Sequence, residues 1–396
     1  MKQLTQFLVL VLTFTAHPLA ADELAKIKGD LVALIARVEA LETENRQLKS
    51  SADKKEWTKS LKLKGDIRYR YESIDVESQD GRERNRVRSR VALTTTLPNN
   101  VEIGFGLASG SADPTSSNQT LGGGGSSKGI NLDLAYFSWN SHPNVSITAG
   151  KYKNTFYSPE KNGLLWDGDY NPEGVAITYD NGQLFTNFAL HWLDSDSKNG
   201  SPRAVVGLQA GYATNIEHAL LTFGAGLYDF SIQGQDVFRG DADDFMGNSF
   251  TCIDASTLSG CTFDYDYEQV ELFAHLKMQI GDSPFVAFID YVNNRATDDL
   301  NTGWSTGFTL GKASNSGTWK IGYMYQDIEA DAVFKAIADS DFGGGISDSK
   351  GHVLKGSVAI NKNWKVGVTY FDNVNNVDRG ADTDYNRIQF NTTLKF

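Results

Sequence analysis

Tyr385-Asn386-Arg387-Ile388-Gln389-Phe390-Asn391-Thr392-Thr393-Leu394-Lys395-Phe396 closes the chain. Ile388, Phe390, Thr392, Leu394 and Phe396 share one parity, and Arg387, Gln389, Asn391, Thr393 and Lys395 share the other. A period of two places successive side chains on opposite faces, so the stretch reads as a strand with one apolar and one wet face. The same period starts at Leu61 and persists to the end. It predicts sixteen strands, at 61–73, 86–97, 101–108, 130–139, 145–152, 174–180, 183–193 and 204–213, then 219–230, 265–280, 285–292, 302–312, 318–328, 352–361, 364–371 and 385–396. Most have close to the ~9–11 residues that cross a bilayer at a tilt of ~45°.

The connections carry as much information as the strands. Seven are short, among them Pro98-Asn99-Asn100, Lys362-Asn363 and the two-residue hairpin signal Asn181-Gly182. They alternate with eight longer loops near 74–85, 109–129, 153–173, 194–203, 231–264, 293–301, 329–351 and 372–384. A closed antiparallel barrel with periplasmic turns and extracellular loops has this rhythm. A soluble sandwich has no reason to send its long loops to one end. At sixteen strands a barrel encloses an aqueous channel rather than a packed core. A charge on the lipid face would cost ~2–4 kcal/mol at mid-bilayer, so the charged parity is the lumen. The fold expected is all-β: a sixteen-stranded antiparallel transmembrane β-barrel, residues 61–396, preceded by a short N-terminal α-helical coiled coil.

Upstream, Lys2, the apolar stretch 7–14 and Leu19-Ala20-Ala21 read as a secretory signal over 1–21. From 22 to 50, Leu24, Ile27, Leu31, Leu34, Val38, Leu41, Asn45 and Leu48 fill successive a and d positions of a periplasmic coiled coil. Asn45 at an a position sacrifices stability to fix register. Arg37-Val38-Glu39-Ala40-Leu41-Glu42 matches a short trimer-forming pattern in which Arg37 reaches Glu42 of a neighbouring chain. A homotrimer is therefore expected over a dimer; a solitary amphipathic helix is the bland alternative. Residues 51–60, polar and rich in lysine, read as a linker.

Net charge is −12, which argues against a nucleic-acid partner. Yet the first two strands concentrate positive charge on the lumen parity: Lys62, Lys64, Arg68 and Arg70, then Arg86, Arg88 and Arg90. Such a ladder attracts anions, and acids of the third long loop, Asp167 and Asp169, would face it across the pore as a selectivity filter. The competing reading is that these arginines pair with Asp66, Glu72 and loop acids and only brace the wall. Cys252 and Cys261 are the only cysteines and, in an exported chain, suggest a disulfide within the fifth loop. The acids around them fit no calcium-loop spacing, and the histidines show no metal spacing such as H-x-x-x-H. No G-x-S-x-G occurs, and Gly104-x-Gly106 opens no helix. No enzyme activity, cofactor or metal is expected from these patterns.

Two resemblances add to this reading. A terminal Phe396 closing an amphipathic strand resembles the signal by which the barrel-assembly machinery recognises outer-membrane barrels. Ala149-Gly150-Lys151, then Leu165-Trp166-Asp167, then Asn171-Pro172-Glu173-Gly174-Val175-Ala176 resemble the signature region of the bacterial outer-membrane "putative porin" family. The coiled coil ahead of a barrel is similar to trimeric porins built that way, including dicarboxylate-type ones. The sequence departs from the family pattern at Thr155, where proline is expected before Phe156. The resemblance implies a passive channel in the bacterial outer membrane, embedded in its lipid, and names no solute; small hydrophilic solutes are expected to diffuse through it, and the local arginine ladder favours anionic ones. A surface adhesin anchored by its barrel and an outer-membrane enzyme are the other classes.

Overall fold

The computed structural model describes residues 21–53, 59–195, 203–242 and 244–396. The expected signal segment lies outside the described residues except for Ala21, as does 54–58 of the expected linker. The chain divides into two compact units, 1–59 and 60–396.

Among its described residues the first unit carries the helix α1 (Ala21–Asp53), which runs three residues past the expected end of the coiled-coil segment. Its stretch is free of proline and rich in Ala, Leu, Lys and Glu, all good helix formers. Ile27, Leu31, Leu34, Val38 and Leu41 form an apolar seam that is exposed along the helix. Glu42 lies 3.6 Å from Arg46 on the next turn.

The second unit is a closed barrel. Its strands are β1 (Lys62–Val76), β2 (Arg82–Leu97), β3 (Val101–Ser109), β4 (Ile130–His142), β5 (Val145–Lys151), β6 (Glu173–Asp180), β7 (Leu184–Asp194) and β8 (Arg203–Ile216). The ring continues with β9 (Ala219–Phe230), β10 (Tyr267–Ile280), β11 (Ser283–Asn294), β12 (Thr302–Gly311), β13 (Trp319–Ile328), β14 (Ser349–Ala359), β15 (Trp364–Asn375) and β16 (Thr383–Lys395). Each strand pairs antiparallel with its neighbours in sequence, and β16 returns to β1, from Asp66 opposite Lys395 to Val76 opposite Tyr385. Gly65 and Phe396 exchange backbone bonds of 3.0 and 3.1 Å at the seam. No edge remains to be satisfied in lipid, where an unpaired backbone group would be costly.

The parities separate as expected. Leu63, Ile67, Phe137, Phe390 and Leu394 point outward, while Asp66, Arg70, Glu72, Gln209, Glu271, Gln326 and Arg387 are buried inside. Two local expectations change. The first long loop, expected at 74–85, is only 77–81, because β1 and β2 continue pairing with Glu72 opposite Arg84 and Ile74 opposite Arg82. Above the membrane both faces are wet, so the apolar alternation fades while the backbone ladder continues. The Asn181-Gly182 hairpin opens into four residues, since Asp180 pairs with Phe185. Only Gly182 has a positive φ there, and Asn181 Oδ1 accepts from the amides of Gln183 and Leu184. A type I′ turn would need positive φ at both central residues.

Four loops are long: L2 (110–129), L3 (152–172), L5 (231–266) and L7 (329–348). L3 folds into the lumen. Its Phe156 and Trp166 stack at 5.2 Å, and Trp166 meets the inward Tyr228 of β9 edge-on at 5.1 Å. Phe334 of L7 packs on Phe230 of β9 at 5.4 Å, and Phe245 stacks on Phe250 within L5 at 4.3 Å. One side of the lumen is thus filled by an aromatic core built from loops. In L5 the pair Phe250–Thr251 and Thr262–Phe263 forms a small hairpin, and Cys252 is disulfide-bonded to Cys261 beside it.

Candidate functional site

The β1–β2 register sets Arg68 opposite Arg88, Arg70 opposite Arg86, Asp66 opposite Arg90 and Glu72 opposite Arg84, all on the lumen parity. On the other flank of β1, Arg387 of β16 stands opposite Ile74. Guanidiniums this close would repel strongly in a low-dielectric wall, so carboxylates must be interleaved. Two come from the wall itself. Asp66 takes Arg88 and Arg90, each at 2.8 Å. Glu72, fully buried, takes Arg84 at 2.6 Å, Arg86 at 3.5 Å and Arg387.

Two more carboxylates come from the loops. Asp169 of L3 meets Arg90 at 2.9 Å and Arg88 at 3.5 Å, and Ser117 of L2 donates to it at 3.1 Å. Burial alone would raise the Asp169 pKa, but Arg88 and Arg90 hold it below the usual value. Asp341 of L7 meets Arg387 at 2.9 Å and Arg70 at 3.2 Å. Arg68 differs: its Nη2 donates to Asn118 of L2 at 2.6 Å, and among the described residues no carboxylate lies within ion-pair range of it.

The expected transverse field, with loop acids facing arginines across open space, is not the arrangement found. Asp169 touches the wall directly. Asp167 does not face it: its carboxylate accepts from the amide of Asp169 at 2.6 Å and from Ser340 of L7 at 3.2 Å. Burial, with the nearby Asp339, pushes the Asp167 pKa up to about 8. Asp167 caps its own turn and holds L3 to L7. The two loops are also joined by backbone bonds, Asp167 N to Ile337 O at 2.9 Å and Asp339 N to Gly163 O at 3.1 Å. Gly163 has φ of 82°, and a Cβ there would come within 2.6 Å of the Asp339 side chain, so only glycine fits the junction.

L3 is anchored to the opposite wall through Glu160, which accepts from Lys320 of β13 at 3.0 Å and lies 3.5 Å from His275 Nε2 of β10. The nearby His275 and the hydrogen-bonded Lys320 outweigh burial and pull the Glu160 pKa down to about 2. Asn162 adds a 2.7 Å bond to Asp290 of β11.

Beneath the joined loops, toward the short turns, lies a cavity of about 500 Å³. Arg68, Arg70 and Arg88 line it with Lys395 of the neighbouring β16, and Lys320, Lys355 and Lys365 of β13 to β15 continue the lining, against Glu160, Asp339 and Asp341. Thr309, Gly322, Ser357, Gly367 and Thr369 also line it, beside Phe288, Met324, Val353 and Phe371. No ion pair within the described residues reaches Lys355 or Lys365. On the extracellular side a second cavity of about 430 Å³ is lined by Arg82, Arg84, Arg86 and Arg387. Of the residues lining these two cavities, Asp341 alone belongs to both.

Sequence reasoning named Arg68, Arg70, Arg86, Arg88, Arg90 and Asp169, with Asp66 and Glu72 as bracing partners in its competing reading; it did not single out Asp341 or the lysines of β13 to β15, nor the sharing of Glu72 by three arginines. The lysines were legible as members of a polar parity. Asp341 carried no local signal, because its partners lie some hundreds of residues away in sequence or on another strand. The acids of L5 serve local structure: Asp254 accepts from Ser256 and Thr257, and Asp244 from the amide of Asp241. Among the described residues no group of three or more His, Cys, Asp or Glu is placed to hold a metal.

The profile of the family described as "Putative porin" matches residues 74–259 and 248–396. The structure of OprB from Pseudomonas putida at high pH superposes with a TM-score of 0.59 at 10% identity, over 86% of this chain and 95% of that one. A mutant porin of Rh. blastica superposes with a TM-score of 0.50 at 12% identity, over 85% of this chain and 100% of that one. At these identities the likeness speaks for the fold. No curated protein matches the chain.

Proposed function

Because the chain belongs to the "Putative porin" family of bacterial outer-membrane channels, we propose that its barrel passes small hydrophilic solutes down their gradients and favours anions. The observation that carries this reading is the cavity beneath L3 and L7, where seven cationic side chains stand against three carboxylates. Lys355 and Lys365 have no carboxylate partner among the described residues, so their field acts on whatever enters. Over the ~8–10 Å that screening allows at ordinary salt, this local charge outweighs the net −12 of the chain. Arg68 and Arg70, with the lysines, act as the filter, while Arg86, Arg88 and Arg90 with Asp169 brace the wall. Asp167 acts as a loop clasp rather than a filter group.

The test is reversal potential in a salt gradient across a planar bilayer. Anion selectivity is expected; a cation-selective channel would remove the filter assigned to Arg68, Lys355 and Lys365.

The trimer belongs to the same proposal. A lone helix with Ile27, Leu31, Leu34, Val38 and Leu41 exposed leaves an unfavourable apolar stripe in water, and two further copies of α1 would cover it. Arg37, Glu42 and Asn45 then set the pairing and register, Glu42 exchanging its Arg46 partner for Arg37 of a neighbour. Deleting 22–50 is expected to convert trimers to monomers in native gels while the barrel stays heat-modifiable. Trimers that persist would move the contact elsewhere. The secretory signal over 1–21 and recognition of Phe396 by the barrel-assembly machinery complete the reading, and export with the leader intact or normal assembly of Phe396→Ala would count against them.

A further inference from the structure

Strand register orders the β11 to β15 wall of the cavity beneath the loops into rows of lumen-facing side chains. Nearest the loops, Phe288, Gly307, Met324, Val353 and Phe371 stand opposite one another in turn. The four side chains of this row are at most 7% exposed, so it closes the cavity at that end. One step toward the short turns come Thr309, Gly322, Lys355 and Thr369. A step further stand Lys320, Ser357 and Gly367, and beyond them Lys365, opposite Thr393 of β16. Gly322 and Gly367 add no side chain, so ammoniums and hydroxyls share this end of the cavity.

The charge there is one-sided. The charges that act on Lys365 are Lys395, Lys320 and Lys312, all positive. Of Lys320, Lys355, Lys365 and Lys395, only Lys320 has a carboxylate partner among the described residues, Glu160 at 3.0 Å. Ammoniums gathered without counter-ions repel one another, and a compact anion of high charge relieves that repulsion. A lysine is a point charge that suits the oxygens of a tetrahedral dianion, and a hydroxyl is a neutral donor that turns to suit. Glu160 adds an acceptor: Oε2 is held by Lys320, while Oε1 stands 3.5 Å from His275 Nε2. Of phosphate and sulfate, only phosphate keeps a hydroxyl near neutral pH that can donate to such a carboxylate.

We propose that Lys355, Lys365 and Lys395, with Ser357 and Thr369, form a seat for inorganic phosphate, and that Glu160 accepts the hydrogen bond of its P–OH group. The proposal rests on the channel reading above and names the solute class. The lysines set the preference for a dianion over chloride, and Glu160 sets the preference for phosphate over sulfate. The seat lies on the way through the cavity, so a bound phosphate holds back the chloride that follows it.

Single-channel recordings of the full chain in potassium chloride, with phosphate or sulfate added on both sides at fixed ionic strength, test this. Phosphate is expected to reduce the chloride conductance saturably. Sulfate should need about tenfold more for the same block, the worth of one hydrogen bond to a charged group. Lys355→Gln with Lys365→Gln should raise the half-blocking phosphate concentration by about tenfold or more. A conductance that phosphate leaves unchanged would overturn the proposal. So would sulfate that blocks as well as phosphate, which leaves charge alone at work, and so would a block that survives the lysine changes, which moves phosphate to the arginines. Folded, heat-modifiable protein that carries no chloride current would overturn the channel reading instead. Equilibrium dialysis of that protein against labelled phosphate then decides the seat: retention lost in the double lysine variant supports it, and equal retention overturns it.

Discussion

The lumen wall has two halves that use positive charge in opposite ways. On β1, β2 and β16 six guanidiniums are interleaved with Asp66, Glu72, Asp169 and Asp341. On β13 to β15 Lys355 and Lys365 project into the cavity beside glycine, serine and threonine. Breaking a buried pair leaves an uncompensated charge, whereas changing a solvated lysine alters only the field. Arg68 and Arg70 apart, the arginine half should therefore govern whether the barrel stands, and the lysine half what it passes. High positive charge on a pore wall is by itself no evidence of selectivity; the count of nearby carboxylates decides.

The harshest way to break this contrast is Glu72→Gln. It strips Arg84, Arg86 and Arg387 of a shared, fully buried partner, and the expected loss is about 3–5 kcal/mol of stability, seen as a lower unfolding temperature in detergent. A Glu72→Gln barrel as stable as the wild type would dissolve the division. On the other half, Lys355→Glu with Lys365→Glu should leave stability within about 0.5 kcal/mol and shift the reversal potential toward cations. The paired change Arg88→Gln with Arg90→Gln should do the reverse, lowering stability with little effect on reversal potential.

The mildest probe is pH, acting on the loops between the halves. Folded Asp167 keeps its proton up to about 8, whereas its usual value is 3.8. Between those values the folded chain holds a proton that the unfolded chain has released, so this contribution to stability falls as pH rises and levels off above about 8. Glu160 acts in the opposite sense, stabilising above its usual 4.5 and losing that contribution as pH falls toward about 2. Thermal melts of Asp167→Asn should gain on the wild type steadily from pH 4 to 8. A constant difference across that range would separate Asp167 from the L3–L7 junction.

The barrel was legible because strand periodicity is local and repeated, and because short and long connections alternate. The ends of β1 and β2 were not, since Arg82-Glu83-Arg84-Asn85 is polar at every position and shows no apolar alternation, while its backbone pairing continues. The arginine ladder was legible as a parity, and so was the competing possibility that it is braced. Choosing between filter and brace needed the loops in place. Arg70 finds Asp341 across 271 residues, and no pattern in either neighbourhood announces that meeting.

L3 joins the walls at β2, β10, β11 and β13, L7 joins β1 and β16, and the two are bonded to each other. A thin hoop yields most easily by flattening into an oval, and such spokes resist that deformation. The aperture is thereby insulated from lateral pressure, and unit conductance should hold level when stiff, tightly packed bilayers replace soft ones.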